Sequence, residues 1–173
     1  MTTTIDIRPA EEGDLDAILE LYRAVAEVPG GLLRRVHEIT PDYIARNFDA
    51  ARRSGLSLVV ADDSGIVGEL HGHVSGVHQL RHVMGDLTVA VHPKAQGRGI
   101  GRGLFERFLG DTRRDFPQVR RVELFCRADN ARAVALYRAL GFEVEGILRG
   151  RVADDRGFYG DDLIMGLDLT AGS

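Results

Sequence analysis

The residues best suited to chemistry form a glycine-rich loop, Gln96-Gly97-Arg98-Gly99-Ile100-Gly101-Arg102, between two patterns. A short apolar strand pattern over Val89-Ala90-Val91 precedes the loop, and an amphipathic helix pattern follows it. Glycines allow backbone N–H groups to approach a ligand closely, and the amides at a helix start favour anions. The sequence therefore predicts a loop that binds a pyrophosphate group.

The spacing of the glycines excludes two familiar nucleotide sites. A dinucleotide fingerprint needs glycines at i, i+2 and i+5. Each possible starting glycine fails at i+5, where a third glycine is needed. The residue five positions after Gly97 is Arg102, after Gly99 it is Leu104, and after Gly101 it is Glu106. A P-loop needs Gly-Lys-Ser/Thr at the helix start, whereas the only lysine, Lys94, precedes the glycines. Taken alone, the loop is equally compatible with a glycine-rich turn that carries solvated arginines.

The elements that must position this loop follow from hydrophobic periodicity and turn residues. The order is strand, two helices, three strands, helix, strand, helix, two strands. We expect strands over 3–8, 56–61, 65–74, 85–91, 119–126, 142–147 and 162–169. Helices are expected after Asp14 and after Thr40, with these two residues as the N-caps, and over 100–115 and 131–140. The alternation in the second half predicts a mixed sheet with helices on both faces.

A second motif, Asn130 to Phe142, opens the last helix with the sequence Asn-Ala-Arg-Ala-Val-Ala-Leu-Tyr-Arg-Ala-Leu-Gly-Phe. An amphipathic helix with Ala133, Leu136 and Leu140 in the core accounts for part of it. Asn130 and Tyr137 are seven residues apart, about two helical turns, so both project towards roughly the same side.

Together, the two motifs resemble those of the GNAT superfamily of acetyl-CoA-dependent N-acetyltransferases. Gln96–Gly101 resembles its Gln/Arg-x-x-Gly-x-Gly/Ala motif, and Asn130–Phe142 resembles its Asn-x-x-Ala-x-x-Leu-Tyr-x-x-x-Gly-Phe segment. The resemblance implies a single N-acetyltransferase domain over 1–173, with a core of about 5–169. The implied fold class is α/β (α+β): a mixed, mostly antiparallel sheet of six to seven strands, about four flanking helices, and splayed fourth and fifth strands.

The resemblance also implies the site. Acetyl-CoA is the expected co-substrate, and no metal is required. The implied cofactor-binding residues are Val89, Ala90, Val91, Gln96, Gly97, Arg98, Gly99, Ile100, Gly101, Arg102, Asn130, Ala133 and Tyr137. Tyr137 matches the family's general acid, which protonates the departing thiolate. A buried core tyrosine is the alternative.

The attacking amine must be neutral, so a carboxylate is a candidate general base. Asp86 comes first, because some related acetyltransferases carry a carboxylate at the matching place, followed by Glu123 and then Glu69. Each could equally be a solvated or ion-paired carboxylate. An α-amine with a pKa of about 8 needs less help than a lysine amine near ~10.4, and a water chain could suffice.

The acceptor is left open by the resemblance. The stretch from Gly146 to Asp161 is similar to members that acetylate amino acids or amino-acid-like antibiotics, and to ribosomal-protein N-terminal acetyltransferases. The phosphinothricin type has a histidine where this chain has Gly160. We expect a small amino-acid-like α-amine; the alternatives are peptide or protein N-terminal acetylation and a non-catalytic acyl-CoA-binding module. The segment Pro29–Ile39 is either a roof over the acceptor pocket or a surface loop.

Composition excludes several other classes of function and partner. With 173 residues and a formal net charge of -4, the chain has no global basic field for nucleic acid or an acidic membrane. The single cysteine, Cys126, excludes an intramolecular disulfide and a cysteine-based zinc cluster. A His-x-His pair, His71 and His73, lacks a nearby third ligand set. We expect a cytoplasmic enzyme, and the long final strands offer an edge for a homodimer.

Overall fold

The computed structural model describes residues 6–170, which contain seven strands and four helices. The strands are β1 (Asp6–Pro9), β2 (Gly55–Asp62), β3 (Gly65–Val74), β4 (Val83–Val91), β5 (Arg121–Arg127), β6 (Glu143–Ala153) and β7 (Tyr159–Asp168). The helices are α1 (Leu15–Ala26), α2 (Pro41–Ser54), α3 (Ile100–Asp115) and α4 (Ala131–Ala139). The predicted order of elements is confirmed, although residues 3–5 of the expected first strand lie outside the described residues.

The strands form a mixed sheet in the hydrogen-bonded order β1-β2-β3-β4-β5-β7-β6. The pairs β1–β2, β2–β3, β5–β7 and β6–β7 are antiparallel, and β4–β5 is parallel. Within the part of the chain that is described, β4 pairs with β5 only at Val83 and Met84. This short ladder confirms the predicted divergence of the fourth and fifth strands.

The chain divides into two compact units, and β4 contributes residues to both. The described part of the first unit, residues 6–73 and 88–115, holds β1 to β3, the end of β4, and α1, α2 and α3. Helices α1 and α2 pack on the face that carries Val59 and Ala90. Helix α3 packs on the opposite face, where Ile100 and Leu104 lie against Gly68. Helices on both faces were predicted, and this unit has them.

The described part of the second unit, residues 74–87 and 116–170, holds the start of β4, then β5, α4, β6 and β7. Strands β5 and β7 pair from Arg121–Asp168 to Arg127–Asp162. The Asn130 side chain caps α4 by accepting a hydrogen bond from the Ala133 N–H at 3.1 Å. The chain leaves this helix through Gly141, whose φ of 96° suits glycine.

Helix caps were predicted with mixed success. Thr40 caps α2 as expected, accepting from the Tyr43 N–H at 3.2 Å. Asp14 occupies the N-cap position of α1 as predicted, but its carboxylate makes no capping hydrogen bond to that helix. The carboxylate instead accepts from the Glu11 N–H and from both terminal nitrogens of Arg8. These bonds lower the pKa of Asp14, with the Arg8 hydrogen bond as the largest cause.

The close approach of β3 and α3 gives a prediction about Gly68. A Cβ at this position would lie 2.7 Å from Cγ2 of buried Ile100, so we expect Gly68→Ala to lower the free energy of unfolding by about 1–3 kcal/mol. The control is Gly110→Ala, an exposed position on α3 with no atom within 4 Å of the added Cβ. The control substitution should raise the free energy of unfolding by about 0.5–1 kcal/mol. Urea denaturation measures both, and equal effects would contradict the packing argument.

Candidate active site

The glycine-rich loop starts where β4 ends. The Gln96 side-chain amide donates to the Val91 carbonyl at 3.4 Å, which links the loop to the strand. Gly97 and Gly99 have φ values of 80° and 79°, a region that residues with a Cβ enter at a cost. Helix α3 begins at Ile100, which is buried. The first amides of a helix have no partner within it, so the loop has the geometry of an anion site.

The two arginines of the loop are both paired with carboxylates. Arg98 donates to Asp62 at 2.8 Å, and Arg102 donates to Glu106, one turn further along α3, at 2.8 Å. Hydrogen bonds from Ser64 and Arg98 lower the pKa of the Asp62 carboxyl to about 2. Because these guanidinium groups already have anionic partners, backbone amides are the better candidates for the first contacts with a pyrophosphate.

The end of β4 presents its residues to different surroundings. Ala90 is buried in the core cluster that also contains Tyr22, Ile44 and Val59. Val89 and Val91 are half-buried and, because strand side chains alternate, lie on the other face. The main chain of Val89 to Val91 is the part of β4 that the family resemblance predicts to bind the cofactor.

The second motif lies in the second unit. The oxygen of Asn130 is occupied by the helix cap, which leaves its amide N–H₂ as the donor for a ligand. Tyr137 is buried, and its ring meets Phe142 edge to face with the centroids 6.0 Å apart. Burial, with a smaller contribution from Cys126, raises the pKa of Tyr137, so its phenol keeps a transferable proton at neutral pH.

The two leading base candidates differ in their environment. Asp86 is exposed and has a φ of 51°, which makes it the one non-glycine residue among residues 6–170 with a positive φ. Glu123 is ion-paired, accepting from Arg121 Nε at 3.0 Å, and Arg121 also holds Glu145. The sequence left open whether each carboxylate is solvated or ion-paired, and Glu123 is ion-paired.

The third candidate, Glu69, is 2% exposed, so the solvated alternative is wrong for it. It accepts from the Tyr22 hydroxyl at 2.6 Å and the Ser57 hydroxyl at 2.8 Å, and His71 Nδ1 lies 3.2 Å away. Sequence reasoning missed Tyr22, Ser57 and His71 as partners. The available signal was the alternation along β3, which places residues 69 and 71 on the same face of the strand.

These residues border a small pocket in the first unit, with space for about one water molecule. Its lining comes from α1, α2, β2 and β3: Ile18, Tyr22, Ile44, Asn47, Phe48, Ser57, Glu69 and His71. The segment Pro29–Ile39, considered above as a roof, contributes no residue to this lining.

Residues 6–170 lack two other kinds of feature. They contain no group of three or more His, Cys, Asp or Glu side chains placed to hold a metal ion. No helix in the same range has both the length and the apolar character needed to cross a membrane.

Comparison with known proteins defines the class. A family model described as "Acetyltransferase (GNAT) family" matches residues 15–142. The L-amino acid N-acetyltransferase AaaT of Escherichia coli (strain K12) is 31% identical over 142 residues, which cover 82% of this chain and 85% of that protein. The chain therefore belongs to the GNAT acetyltransferase family.

Solved structures agree on the fold. A phosphinothricin acetyltransferase from Sinorhizobium meliloti, solved in complex with acetyl-CoA, has a TM-score of 0.85 at 23% identity and covers 96% of this chain and 89% of its own. A ribosomal-protein-alanine N-acetyltransferase from Brucella melitensis has a TM-score of 0.82 at 28% identity, and the match covers 95% of this chain and 99% of that one. The protein is thus an acetyl-CoA-dependent N-acetyltransferase with a GNAT fold.

The buried phenol gives a prediction about Tyr137→Phe. Loss of the acid should lower kcat by about 10²- to 10⁴-fold and leave the KM for acetyl-CoA nearly unchanged. Because the pKa of Tyr137 is raised, the phenol stays protonated through neutral and moderately alkaline pH, and the ratio of wild-type to variant kcat should stay constant from about pH 6 to about pH 9. Thiol release from acetyl-CoA measures both. Equal kcat values would remove Tyr137 as the acid.

Because Asp86 has a positive φ, substitutions can distinguish a conformational role of this residue from a chemical one. Asp86→Ala should lower the free energy of unfolding by about 1–2 kcal/mol, whereas Asn and Gly tolerate this conformation. If Asp86 is the base, all three variants lose activity at neutral pH and regain it at alkaline pH, where the amine is neutral. Impaired activity in Asp86→Ala alone would show a conformational role only. Urea denaturation and pH–rate profiles make the comparison.

Proposed function

We propose that the protein transfers the acetyl group of acetyl-CoA directly to the primary α-amine of a small amino-acid-like acceptor. The observation that carries the choice of acceptor is the 31% identity to an L-amino acid N-acetyltransferase, because that match spans 82% of this chain and 85% of its relative. A match of that breadth extends well beyond the two cofactor motifs.

In the proposed binding mode, the loop from Gln96 to Arg102 holds the pyrophosphate through its backbone amides. The pantetheine arm follows the main chain of Val89 to Val91, and Asn130 donates to one of its amides. This mode is supported by the short β4–β5 ladder, which leaves the later part of β4 without β5 as a partner. It is also supported by the left-handed glycines before α3.

In the proposed reaction, the neutral amine attacks the thioester carbonyl to give a tetrahedral intermediate, with a backbone N–H stabilising the oxyanion. The C–S bond then breaks, the sulfur takes the Tyr137 proton, and the nitrogen loses a proton to Asp86 or to water. Glu123 remains a candidate base, but its carboxylate is already engaged in an ion pair with Arg121.

Acetylation of a peptide or protein N-terminus is the second candidate. It is favoured by the 28% identity to the ribosomal-protein-alanine N-acetyltransferase from Brucella melitensis. A homodimer, a cytoplasmic location and a single domain over 1–173 stay predictions from the sequence.

The deciding experiment is thiol release from acetyl-CoA against amino acids, amino-acid analogues, polyamines and short peptides, with wild type and Tyr137→Phe. We expect turnover with free amino acids or close analogues, and a large decrease in the variant. Turnover with peptides alone would support the second candidate. Tight binding of acetyl-CoA with no turnover on any amine would overturn the proposed activity in favour of a non-catalytic binder.

A further inference from the structure

The pocket beside Glu69, called the Glu69 pocket below, contains polar groups that the proposed reaction does not use. Glu69 is 2% exposed and Tyr22 is 1% exposed, and both lie within the first unit. Burying a carboxylate is costly unless hydrogen bonds compensate it. Because this cluster sits in an otherwise apolar core next to Ile18, Ile44 and Phe48, it calls for an explanation beyond packing.

The protein's own donors satisfy the carboxylate only in part. Tyr22 donates to Oε2 and Ser57 donates to Oε1, and His71 Nδ1 lies within 3.2 Å of Oε2. Each carboxylate oxygen can accept about two hydrogen bonds, so Glu69 can accept a further donor. No arginine or lysine among residues 6–170 forms an ion pair with it.

A second group in the lining points to the same conclusion. The side-chain Nδ2 of Asn47 is buried and has no hydrogen-bond partner among residues 6–170. Asn47 lies on α2, and Glu69 lies on β3, so the pocket offers an amide donor from one element and a carboxylate acceptor from another. A buried unsatisfied amide costs free energy, which a ligand with an oxygen acceptor would recover.

The complementary ligand group accepts one hydrogen bond and donates another, and is about the size of a water molecule. A hydroxyl group has these properties, whereas a methyl group of the same size has neither. Ala90, on the strand of the proposed cofactor site, lies in the same buried cluster as Tyr22 and Ile44, so the pocket and the end of β4 lie on one face of the first unit.

We propose that the Glu69 pocket binds the hydroxyl group of a hydroxylated amino-acid acceptor, with Asn47 Nδ2 donating to the hydroxyl oxygen and Glu69 accepting its proton in a hydrogen bond. This inference rests on the proposed function, because it names the class of acceptor. Tyr22 and Ser57 act as positioning residues that hold the carboxylate. The rest of the pocket wall disfavours a second polar group on the ligand, because it is formed by the apolar side chains of Ile18, Ile44 and Phe48.

The test compares acceptors that differ only in a hydroxyl and a methyl group: serine with 2-aminobutyrate, threonine with valine, and homoserine with norvaline. The readout is the ratio of kcat/KM within each pair, which does not depend on the fraction of folded enzyme. We expect the wild type to prefer the hydroxylated member of at least one pair by about 10-fold or more. Asn47→Leu and Glu69→Gln should reduce that ratio to about 3-fold or less.

The matched control is Glu20→Gln, the same chemical change at an exposed position on α1, which should keep the wild-type ratio. The KM for acetyl-CoA should be unchanged in all three variants. A wild type that acetylates both members of every pair equally would overturn the pocket assignment and leave the proposed function intact. A ratio that survives Asn47→Leu would also overturn the pocket assignment, because the pocket then holds only water.

A calorimetric titration of the same pairs in the presence of coenzyme A makes the outcome independent of turnover. Without turnover on any amine, binding of a hydroxylated member that is lost in Asn47→Leu would support the pocket and refute the transfer reaction. If neither member of any pair binds, the pocket assignment is refuted as well.

Discussion

The structure depends on where the pairing between β4 and β5 stops. Within residues 6–170 the parallel ladder contains only Val83 and Met84 of β4, and Asp86, two residues further along the same strand, has a left-handed φ of 51° in place of the extended value. A local break in the extended backbone of β4 thus follows within two residues of its last pair with β5. In the proposed binding mode, the N–H and C=O groups of the β4 backbone beyond Asp86 pair with the amides of the pantetheine arm, in the way an added strand pairs with a sheet edge.

The direction of the glycine-rich loop follows from packing on β3. Ile100, the first residue of α3, lies against Gly68, which has no side chain to hold the helix away. The start of the helix is thereby fixed against the sheet, while Gly97 and Gly99 provide the left-handed turns that bring the chain there from β4. The position of the proposed anion site is thus set by the core of the first unit as well as by the loop itself.

The sequence was sufficient where the signal is local. The bounds of α3 agree with its prediction at both ends, and α4 differs by one residue, because a glycine-rich loop and the Asn130 cap set these helices. Strand β6 extends to Ala153, well past the expected residue 147, because its length is decided by pairing with β7, which sequence periodicity does not report. The left-handed Asp86 was also missed, since its neighbours form an ordinary strand pattern.

The buried polar cluster was the least predictable feature of the candidate site. Glu69 was recognised as a carboxylate of interest, but a charged residue in an alternating strand normally faces solvent. Only the tertiary structure shows that α1 and α2 cover it and supply Tyr22 and Asn47 as neighbours. Partners that come from separate helices leave no spacing in the sequence by which they can be identified.

The single cysteine has a consequence for redox chemistry. Burial, with smaller contributions from Asp162 and Asp129, raises the pKa of Cys126 to about 11. Only a fraction of roughly 10⁻⁴ of this thiol is ionised at neutral pH, and thiolate is the species that attacks a disulfide. An acetyltransferase releases coenzyme A as a free thiol, which becomes a disulfide when the surroundings are oxidising. The protonated state of Cys126 therefore slows the formation of a mixed disulfide between the enzyme and its own product.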